Sequence, residues 1–391
     1  MQSFSYYSPT RVVFGKETET QVGSLVKELG GSRVLVLYGG GSAVKSGLIG
    51  RVTGSLAAAG LAHEALGGVK PNPRLAFARE ALERARAFGA DFVLAAGGGS
   101  VIDTAKAVSI VVANGGSVED YEGVNKSSRA GIPIVAVNTT AGTGSEGTSF
   151  YIVTDPEKHS KMAMVDANCM VSIAVNDIDF MMSMPPKLTA ATGMDALTHA
   201  IEAVLAKGAT PLTDKDACWA IEVIAQNLPR AVADGSCEEA RTMMAYAENV
   251  AGMAFSNAGL GMVHAMAHAL GGHYNLPHGV CNAVLLPYVL EFNGRSAEVR
   301  RRFVKIARAL HLPESVCGCE QASFKASVEV IRQISKLVGI PGTLGELETV
   351  DPADFEALAR LAVKDTCMGD NQITATVPEV MEVYARAYRG N

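Results

Sequence analysis

The sequence predicts two folded domains, an α/β domain followed by an all-helical domain. Its 391 residues exceed the ~100–200 residues of a typical single domain. In the first half, short apolar runs alternate with amphipathic helical patterns, which indicates parallel strands connected by helices. In the second half, the pattern changes to long helices rich in alanine, leucine and methionine. This change divides the chain.

The composition excludes several classes of protein. Apolar residues make up 48% of the chain and charged residues 19%, the balance of a globule with a large core. The net charge of −6 includes no basic block, so nucleic acid and anionic membrane surfaces are disfavoured as partners and a small molecule is favoured. No apolar run approaches the ~18–20 residues that cross a bilayer.

The cysteines and the first residues indicate a reducing compartment. The seven cysteines form no CxxC pair, which argues against a disulfide framework or a thiolate zinc site. Residues 1–9 lack the charged and apolar regions of a secretory signal. We therefore expect a cytoplasmic protein.

The predicted elements of the first half alternate between strand and helix. Apolar runs at 33–38, 91–96 and 132–137 predict buried strands, and the patterns at 75–88 and 101–113 predict helices between them. This alternation is typical of a parallel sheet covered by helices.

Two prolines mark the boundary between the halves. Proline cannot continue the hydrogen bonding of a preceding element, so Pro185 and Pro186 end the α/β pattern. Beyond them lie helical patterns at 187–206, 213–228 and 239–255. We therefore predict an α/β domain over residues 1–184 and a helical domain over residues 185–391.

Three loops rich in glycine or small hydroxyl residues follow the predicted strands. Gly97-Gly98-Gly99-Ser100 lies between a strand and a helix, so its backbone N–H groups and the helix N-terminus would face an anion such as a pyrophosphate. The motif is not GxGxxG, and taken alone it is equally a tight turn. The other two loops are Gly39-Gly40-Gly41-Ser42 and TTAGTGSE at 139–146.

Loops at the carboxyl ends of neighbouring parallel strands converge on one crevice, where nucleotides bind in doubly wound sheets. The loop containing Gly39, Gly40 and Ser42 stands where the ribose of such a nucleotide lies. Three such loops favour a nucleotide site over three unrelated turns. We therefore predict that the α/β domain is Rossmann-like.

The helical half carries a group of residues that commonly bind metals. Asp195 and His199 are four residues apart, so they share one face of a helix. Only eight histidines occur in the chain, yet four lie within fifteen residues: His264, His268, His273 and His278. The first two share another helix face, and the last, after Pro277, is expected in a loop.

A bound cation explains why these residues interrupt apolar helices. Buried polar groups without partners cost free energy, so four such residues together need more than ordinary packing. A divalent cation held by Asp195, His199, His264 and His278 accounts for all four. Three imidazoles and one carboxylate suit Fe²⁺ or Zn²⁺. The sequence has no HExxH motif, which disfavours a metalloprotease.

Long strings of the sequence resemble the iron-containing (group III) alcohol dehydrogenases, the family that includes lactaldehyde reductase and 1,3-propanediol dehydrogenase. The resemblance runs nearly end to end. It is carried by GGGSVIDTAKA (97–107), TTAGTGSE (139–146), ATGMDALTHAIEA (191–203) and GMVHAMAHALGGHYNLPHG (261–279). It implies a dehydroquinate synthase-like architecture, in which a Rossmann-like domain precedes a helical metal-binding domain.

The resemblance also implies roles for individual residues. The implied metal ligands are Asp195, His199, His264 and His278, and the implied pyrophosphate loop is Gly97, Gly98, Gly99 and Ser100. Other positions that match cofactor-lining residues are Thr139, Thr140, Thr143, Lys161 and, near the adenine, Ile178. His268 matches a histidine beside the metal with a role in proton transfer. The implied cofactors are Fe²⁺, with Zn²⁺ as the alternative, and NAD(H) or NADP(H).

The sequence departs from the family pattern at two positions. Many NAD-preferring members have an acidic residue where this chain has Gly39, and that carboxylate would repel a 2′-phosphate. Its absence leaves both NAD and NADP open. His273 occupies a position that is often aromatic and apolar in relatives, on the substrate side of the metal. Two roles stay open for it, a polar contact to substrate and a surface-facing histidine.

We therefore predict an iron-dependent, NAD(P)-linked alcohol dehydrogenase acting on small primary alcohols, diols or their aldehydes. Hydride would pass between C4 of the nicotinamide and the carbon bearing the substrate oxygen, while the cation acts on that oxygen as a Lewis acid. By the same resemblance, a homodimer or larger homo-oligomer is expected.

Two alternatives compete with this prediction. A glycerol-dehydrogenase-like or dehydroquinate-synthase-like zinc enzyme shares the architecture, but the lyase needs basic residues for a phosphate-bearing substrate. The sequence around the four proposed ligands supplies none. A non-enzymatic metal-binding protein is disfavoured because nucleotide loops and metal ligands occur together.

Overall fold

The computed structural model describes residues 3–157 and 160–391, without the side chains of Ser42 and Ser160. Within these ranges the chain forms two compact units. One is Ser8–Met184, and the other is Pro185–Asn391 together with the described residues before Ser8. Tyr6 Oη donates a hydrogen bond to Asp216 at 2.7 Å. The first residues therefore belong with the helices, although the sequence predicts an α/β domain that starts at residue 1.

The unit Ser8–Met184 is an α/β domain. Its strands are β1 (Arg11–Gly15), β2 (Arg33–Tyr38), β3 (Ala62–Gly67), β4 (Phe92–Gly97), β5 (Gly123–Val124), β6 (Ile134–Asn138), β7 (Phe150–Asp155), β8 (Ser160–Val165) and β9 (Ile173–Asp177). Its helices are α1 (Val22–Glu28), α2 (Gly41–Lys45), α3 (Leu48–Ala58), α4 (Leu75–Phe88), α5 (Gly99–Asn114) and α6 (Ile178–Met181). Six strands form a parallel sheet in the order β1-β9-β6-β4-β2-β3.

Burial on both faces explains the continuous apolar runs of the central strands. Val34 and Val36 of β2 pack on one face with residues of α1 and α3. Leu35 and Leu37 pack on the other face with residues of α4 and α5. Because neither face of β2 meets water, its sequence does not alternate between apolar and polar residues.

The predicted strands at 33–38, 91–96 and 132–137 are β2, β4 and β6, and the predicted helix at 75–88 is α4. A second sheet, in the order β5-β8-β7, is absent from the sequence-based prediction. This small sheet joins an antiparallel pair to a two-residue strand, so it lacks the long apolar signature of the main sheet.

The strand order contains a reversal beside β2. The chain passes from β2 to β3 on one side, and β4 then pairs with the other side of β2. In open α/β sheets, ligands bind at the carboxyl ends of the strands where the order reverses. The loops after β2 and β4 therefore occupy the favoured position for a ligand in this unit.

The second unit is helical. Its helices are α7 (Pro186–Leu205), α8 (Pro211–Ala233), α9 (Glu238–Ala258), α10 (Met262–Tyr274), α11 (His278–Asn293), α12 (Ala297–Ala309), α13 (Glu314–Cys317), α14 (Glu320–Leu337), α15 (Phe355–Ala362) and α16 (Val377–Arg389). Pro186 and Pro211 stand in the first turns of α7 and α8, where a missing N–H costs nothing. In the described ranges, no helix is both long and apolar enough to span a membrane.

Two buried carboxyl groups adjoin at the carboxyl end of β9. Asp177 is fully buried, and its Oδ2 accepts a hydrogen bond from Thr18 Oγ1 at 3.2 Å. The backbone N–H of Glu19 donates to the same Asp177 oxygen at 3.4 Å, and Glu19 Oε1 lies 3.1 Å from Nε of Arg51. Burial and then Asp177 raise the pKa of Glu19 to about 7, although the charge of Arg51 opposes them.

This pair predicts a pH-dependent stability. A raised pKa means that folded Glu19 binds a proton more tightly than unfolded Glu19 does, so the stability falls as the pH rises from the ordinary value of 4.5 to about 7. Glu19→Gln removes this loss. We expect its Tm relative to the wild type to rise between about pH 5 and about pH 8. The rise should be about 2–4 °C for an effect of roughly 1 kcal/mol, the free energy that corresponds to somewhat less than one pKa unit.

The matched control is Glu28→Gln, which removes an exposed carboxylate that pairs with Arg11. Exposed pairs contribute little to stability, so this variant should follow the wild type at both pH values. A constant difference in Tm between Glu19→Gln and the wild type would contradict the raised pKa.

Candidate functional site

The helical unit brings four potential metal ligands together. Asp195 and His199 lie one turn apart on α7, His264 lies on α10, and His278 is the first residue of α11. One ligand atom from each residue lies within 4.8 Å of the others. Three of the side chains are buried, and that of His278 is 24% exposed.

The ligand atoms are spaced for a common centre. Asp195 Oδ1 lies 3.9 Å from Nε2 of His264 and 3.6 Å from Nε2 of His278. The rings of His199 and His264 stack with centroids 4.6 Å apart, and Phe255 covers the ring of His199 at 4.4 Å. Bonds of ~2.0–2.2 Å place the ligands of a tetrahedral cation ~3.4 Å apart. The spacing is close to that value.

The donor set fits a divalent cation. It consists of three imidazole nitrogens and one carboxylate oxygen, without a thiolate. Such a set suits Fe²⁺ and Zn²⁺. The prediction of a loop at His278 is wrong, because α11 begins at this residue directly after Pro277, whose backbone is extended.

Glu202 is a buried residue that contacts this cluster and was not predicted from the sequence. Its Oε2 lies 2.6 Å from Nδ1 of His264. Its two oxygens also accept hydrogen bonds from the backbone N–H groups of Gly261 at 3.1 Å and Val263 at 2.8 Å. Burial raises the pKa of Glu202 to about 7, while these N–H groups favour the ionised form.

Asn282 contacts three of the four potential ligands. Its Nδ2 lies 2.6 Å from Asp195 Oδ1, 3.0 Å from His264 Nε2 and 3.1 Å from His278 Nε2. Asn282 is fully buried and stands one turn after His278 on α11. Acceptor atoms from three helices therefore converge on one small volume, the arrangement that a cation favours.

His268 lies beside the cluster but is hydrogen bonded elsewhere. Its ring stacks on that of His278 with centroids 5.3 Å apart, and its Nδ1 lies 2.9 Å from Oδ2 of Asp365. Burial favours the neutral form of Asp365. The His268 ring and the Cys367 N–H outweigh this effect, and the pKa of Asp365 lies below its ordinary value.

His273 stands apart from these residues. It follows His264 by nine residues on α10, which is ~13.5 Å of helical rise. Its Nε2 lies 3.2 Å from Asp354 Oδ2, and its ring packs edge-on against Tyr274. These contacts connect the end of α10 to the turn that precedes α15.

The loops after β4 and β6 pack directly against each other in the α/β unit. A Cβ added at Gly98 would lie 2.7 Å from the side chain of Thr140, and one added at Gly99 would lie 2.5 Å from Thr143 Oγ1. Glycine at these positions allows the two loops to approach. Gly98 caps α5, so the N–H groups of the first turn, including that of Ser100, are directed toward the same edge.

The remaining predicted cofactor residues belong to the same unit. Gly39 and Gly40 connect β2 to α2, while the side chain of Ser42 lies outside the described residues. Ile178 is the buried first residue of α6. Thr139 directly follows β6. Lys161 lies on β8, where its charge opposes the burial that raises the pKa of Asp103.

A buried lysine supports the loop that follows β6. Lys106 of α5 is fully buried, and its Nζ donates hydrogen bonds to the carbonyl oxygens of Ser145 at 2.6 Å, Thr148 at 2.7 Å and Phe150 at 2.7 Å. Burial lowers the pKa of its ammonium group. Lys106 was not predicted as a functional residue. The feature of the sequence that could have indicated it is a lysine within the apolar pattern of a predicted helix.

Family models match both units. Residues 9–178 match the model described as iron-containing alcohol dehydrogenase, and residues 189–388 match the C-terminal model of the Fe-containing alcohol dehydrogenase family. The chain therefore belongs to the iron-containing alcohol dehydrogenase family, and it is an oxidoreductase. This finding confirms the resemblance derived from the sequence.

Individual relatives are similar to this protein along nearly the whole chain. Alcohol dehydrogenase 4 of Schizosaccharomyces pombe is 43% identical over 383 residues, which are 98% of this chain and 89% of that protein. Lactaldehyde reductase of Escherichia coli K12 is 40% identical over 377 residues, 96% of this chain and 97% of that protein. A crystal structure of a 1,3-propanediol oxidoreductase superposes with a TM-score of 0.93 at 38% identity, covering 99% of this chain and 100% of that chain. The predicted fold class is confirmed.

The contact between Gly98 and Thr140 predicts the effect of Gly98→Val. The added side chain would push Thr140 away and separate the two loops, so the affinity for NAD(P)H should fall by at least about tenfold, or ~1.4 kcal/mol. The metal content should not change, because the four potential ligands belong to the other unit. Calorimetric titration with the cofactor measures the affinity.

Gly54→Ala is the matched control, because a Cβ added there on α3 meets no atom within 4 Å. It should leave the cofactor affinity at the wild-type value. An unchanged affinity in Gly98→Val would mean that this loop is only a strand-to-helix turn.

Proposed function

We propose that this chain is a metal-dependent, NAD(P)-linked alcohol dehydrogenase that interconverts small primary alcohols or diols with their aldehydes. The observation that carries the proposal is the cluster of Asp195, His199, His264 and His278 within 4.8 Å, in a member of the iron-containing alcohol dehydrogenase family. Family membership also favours a dehydrogenase over the dehydroquinate-synthase-like lyase.

The four clustered side chains would hold Fe²⁺, with Zn²⁺ as the alternative. When bound, the cation would supply Lewis acidity toward the substrate oxygen, and the nicotinamide would supply the hydride acceptor or donor. The chain contributes position and exclusion of water. Phe255 stacks on His199 and Asn282 is fully buried beside the cluster, so the interior side of this site is dry.

His268 is the proposed proton carrier. Its Nδ1 faces the carboxylate of Asp365 at 2.9 Å, and an ionised carboxylate only accepts hydrogen bonds. The ring proton therefore stays on Nδ1, and Nε2 is the basic atom that can take a proton from an alcohol or return it to an aldehyde.

The proposed cofactor site is formed by the loops after β2, β4 and β6. The first turn of α5 offers N–H groups to a pyrophosphate, and Thr139, Thr140 and Thr143 add hydroxyls beside it. The loop at Gly39 follows β2, at the reversal of strand order, where the ribose of a dinucleotide binds in such sheets.

We propose small substrates because two relatives are named for small molecules. Lactaldehyde and 1,3-propanediol, which appear in the names of two relatives, both carry a second oxygen close to the reacting carbon. A panel of short aldehydes and diols, assayed with NADH and NADPH after anaerobic Fe²⁺ loading, tests this range. A cytoplasmic homo-oligomer belongs to the same proposal, and light scattering measures its size.

Loss of one proposed ligand should remove the metal and the activity together. In His264→Ala the remaining three side chains hold the cation more weakly, so the metal content after Fe²⁺ loading and the rate of NADH oxidation should both fall. Elemental analysis and a steady-state assay measure the two quantities. Full activity in a folded, metal-free variant would refute the metal dependence.

His63→Ala provides the comparison, because His63 lies on β3 of the other unit. Its metal content and rate should stay at the wild-type values. A parallel loss in this variant would show that histidine removal acts through general destabilisation.

The choice of cofactor should depend on Gly39. A Cβ added at Gly39 meets Val69 O at 3.7 Å and Val101 Cγ2 at 3.8 Å, ordinary van der Waals contacts, so a larger side chain fits. In Gly39→Asp, two like charges ~4 Å apart repel by ~4 kcal/mol at an effective dielectric near 20. A third of that is about tenfold in relative affinity. We expect the wild type to use NADPH and Gly39→Asp to lose kcat/KM for NADPH much more than for NADH.

Gly39→Asn isolates the charge, since it has the same shape as Gly39→Asp without the negative charge. It should retain most of the NADPH activity that the aspartate removes. Equal losses for NADH and NADPH in Gly39→Asp would place Gly39 away from the ribose.

A further inference from the structure

We infer that Glu202 controls the metal affinity of the four-residue cluster by fixing the tautomer of His264. This inference rests on the proposed function, because it concerns the same metal centre. The carboxylate lies 2.6 Å from His264 Nδ1, and the side chains of Glu202 and His264 are 4% and 1% exposed. Water therefore does not compete for this hydrogen bond.

The other contacts of Glu202 assign the proton in this hydrogen bond. The N–H groups of Gly261 and Val263 donate to its two oxygens, and backbone N–H groups only donate. These two donors favour the ionised form of Glu202, and the ionised carboxylate acts toward the imidazole as a further acceptor. The proton of the neutral ring then lies on Nδ1, and Nε2 keeps its lone pair.

Nε2 is the atom of His264 that faces the cluster. It lies 3.9 Å from Asp195 Oδ1 and 3.0 Å from Asn282 Nδ2. A histidine binds a cation through the lone pair of a ring nitrogen, and a hydrogen bond from the other nitrogen sets which lone pair is available. Glu202 thus holds His264 in the only neutral tautomer that can bind a metal in the cluster.

The position of Glu202 on α7 gives it a second effect on the same ring. Asp195, His199 and Glu202 follow one another at spacings of four and three residues, so they form one stripe on α7. Glu202 contacts the first turn of α10, which carries His264. A Cβ at Gly261 would lie 2.7 Å from Glu202 Oε1, so glycine permits this approach. The carboxylate of Glu202 therefore fixes the position of His264 on α10 relative to the two potential ligands on α7, Asp195 and His199.

Glu202→Gln separates the tautomer effect from loss of packing. Glutamine has the same shape, and its oxygen can accept from Val263. In this orientation the NH₂ group replaces the oxygen that accepts from Gly261 and faces His264 Nδ1. It offers the ring nitrogen a donor in place of an acceptor, which favours the Nε2–H tautomer, whose proton points into the cluster. We expect the affinity for Zn²⁺ and Co²⁺ to fall by roughly 10- to 100-fold, the usual effect of removing such a partner.

The experiment uses the full-length, metal-free protein. Zn²⁺ and Co²⁺ affinities are measured by competition with a chromophoric chelator. The tautomer is read from ¹⁵N chemical shifts of selectively labelled histidine, assigned to His264 with the His264→Ala variant. The inference requires the Nδ1–H form in the wild type and the Nε2–H form in Glu202→Gln, together with the loss of affinity. The Nδ1–H form with wild-type affinity in Glu202→Gln would overturn it.

Two further variants keep the inference testable if Glu202→Gln is unstable. Glu202→Asp retains the charge, so it should keep the Nδ1–H tautomer and lose less affinity than Glu202→Gln does. Asp365→Asn removes the charge from the equivalent carboxylate–imidazole hydrogen bond of His268, which is outside the four-residue cluster, and should retain the metal affinity. An equal loss of affinity in all three variants would mean that Glu202 acts only through folding.

Failure of this inference is distinguishable from failure of the proposed function. If His264→Ala retains the metal, the cluster is not the metal site and the proposed function fails. If His264→Ala loses the metal while Glu202→Gln binds it normally, only the role of Glu202 is wrong.

Discussion

The cost of burying polar groups is the constraint on which the helical unit depends. Asp195, His199 and His264 are at most 4% exposed on otherwise apolar helices. Such groups are tolerated only where other polar groups or a cation meet them. Glu202 of α7 supplies such a contact to His264, and Asn282 of α11 supplies one to Asp195. The packing of three helices is therefore set by the need to bring acceptors and donors to one place.

The same constraint operates in the α/β unit, where the polar groups belong to the backbone. The loops after β4 and β6 approach so closely that Gly98 and Gly99 admit no side chain beside Thr140 and Thr143. Lys106 donates hydrogen bonds to three carbonyl groups of the segment that follows, those of Ser145, Thr148 and Phe150. The close approach at the glycines and the hydrogen bonds of the buried ammonium group together fix the shape of the loop after β6.

Much of the fold was predictable because burial leaves a strong local pattern. Strands β2, β4 and β6 are covered on both faces, so each is a continuous apolar run. Strands β1 and β3 lie at the two edges of the sheet and are only partly buried, and their mixed sequences predict no strand. The prediction of a loop at His278 was wrong. Pro277 indicated a loop, but it is the N-cap residue directly before α11.

Two of the candidate metal ligands, Asp195 and His199, were identifiable because residues four apart on a helix share a face, and this spacing is a local property of the chain. The other two, His264 and His278, were identifiable because half of the histidines of the chain lie within fifteen residues. Glu202 lies three residues beyond His199 on the same stripe, so its presence near the cluster was also encoded locally. Its partner was not, because 62 residues separate it from His264, and 97 separate His268 from Asp365. Which ring nitrogen meets a carboxylate depends on how α7, α10 and the segment before α16 pack. Hydrogen bonds across that packing have no periodicity along the chain, so only the folded structure defines them.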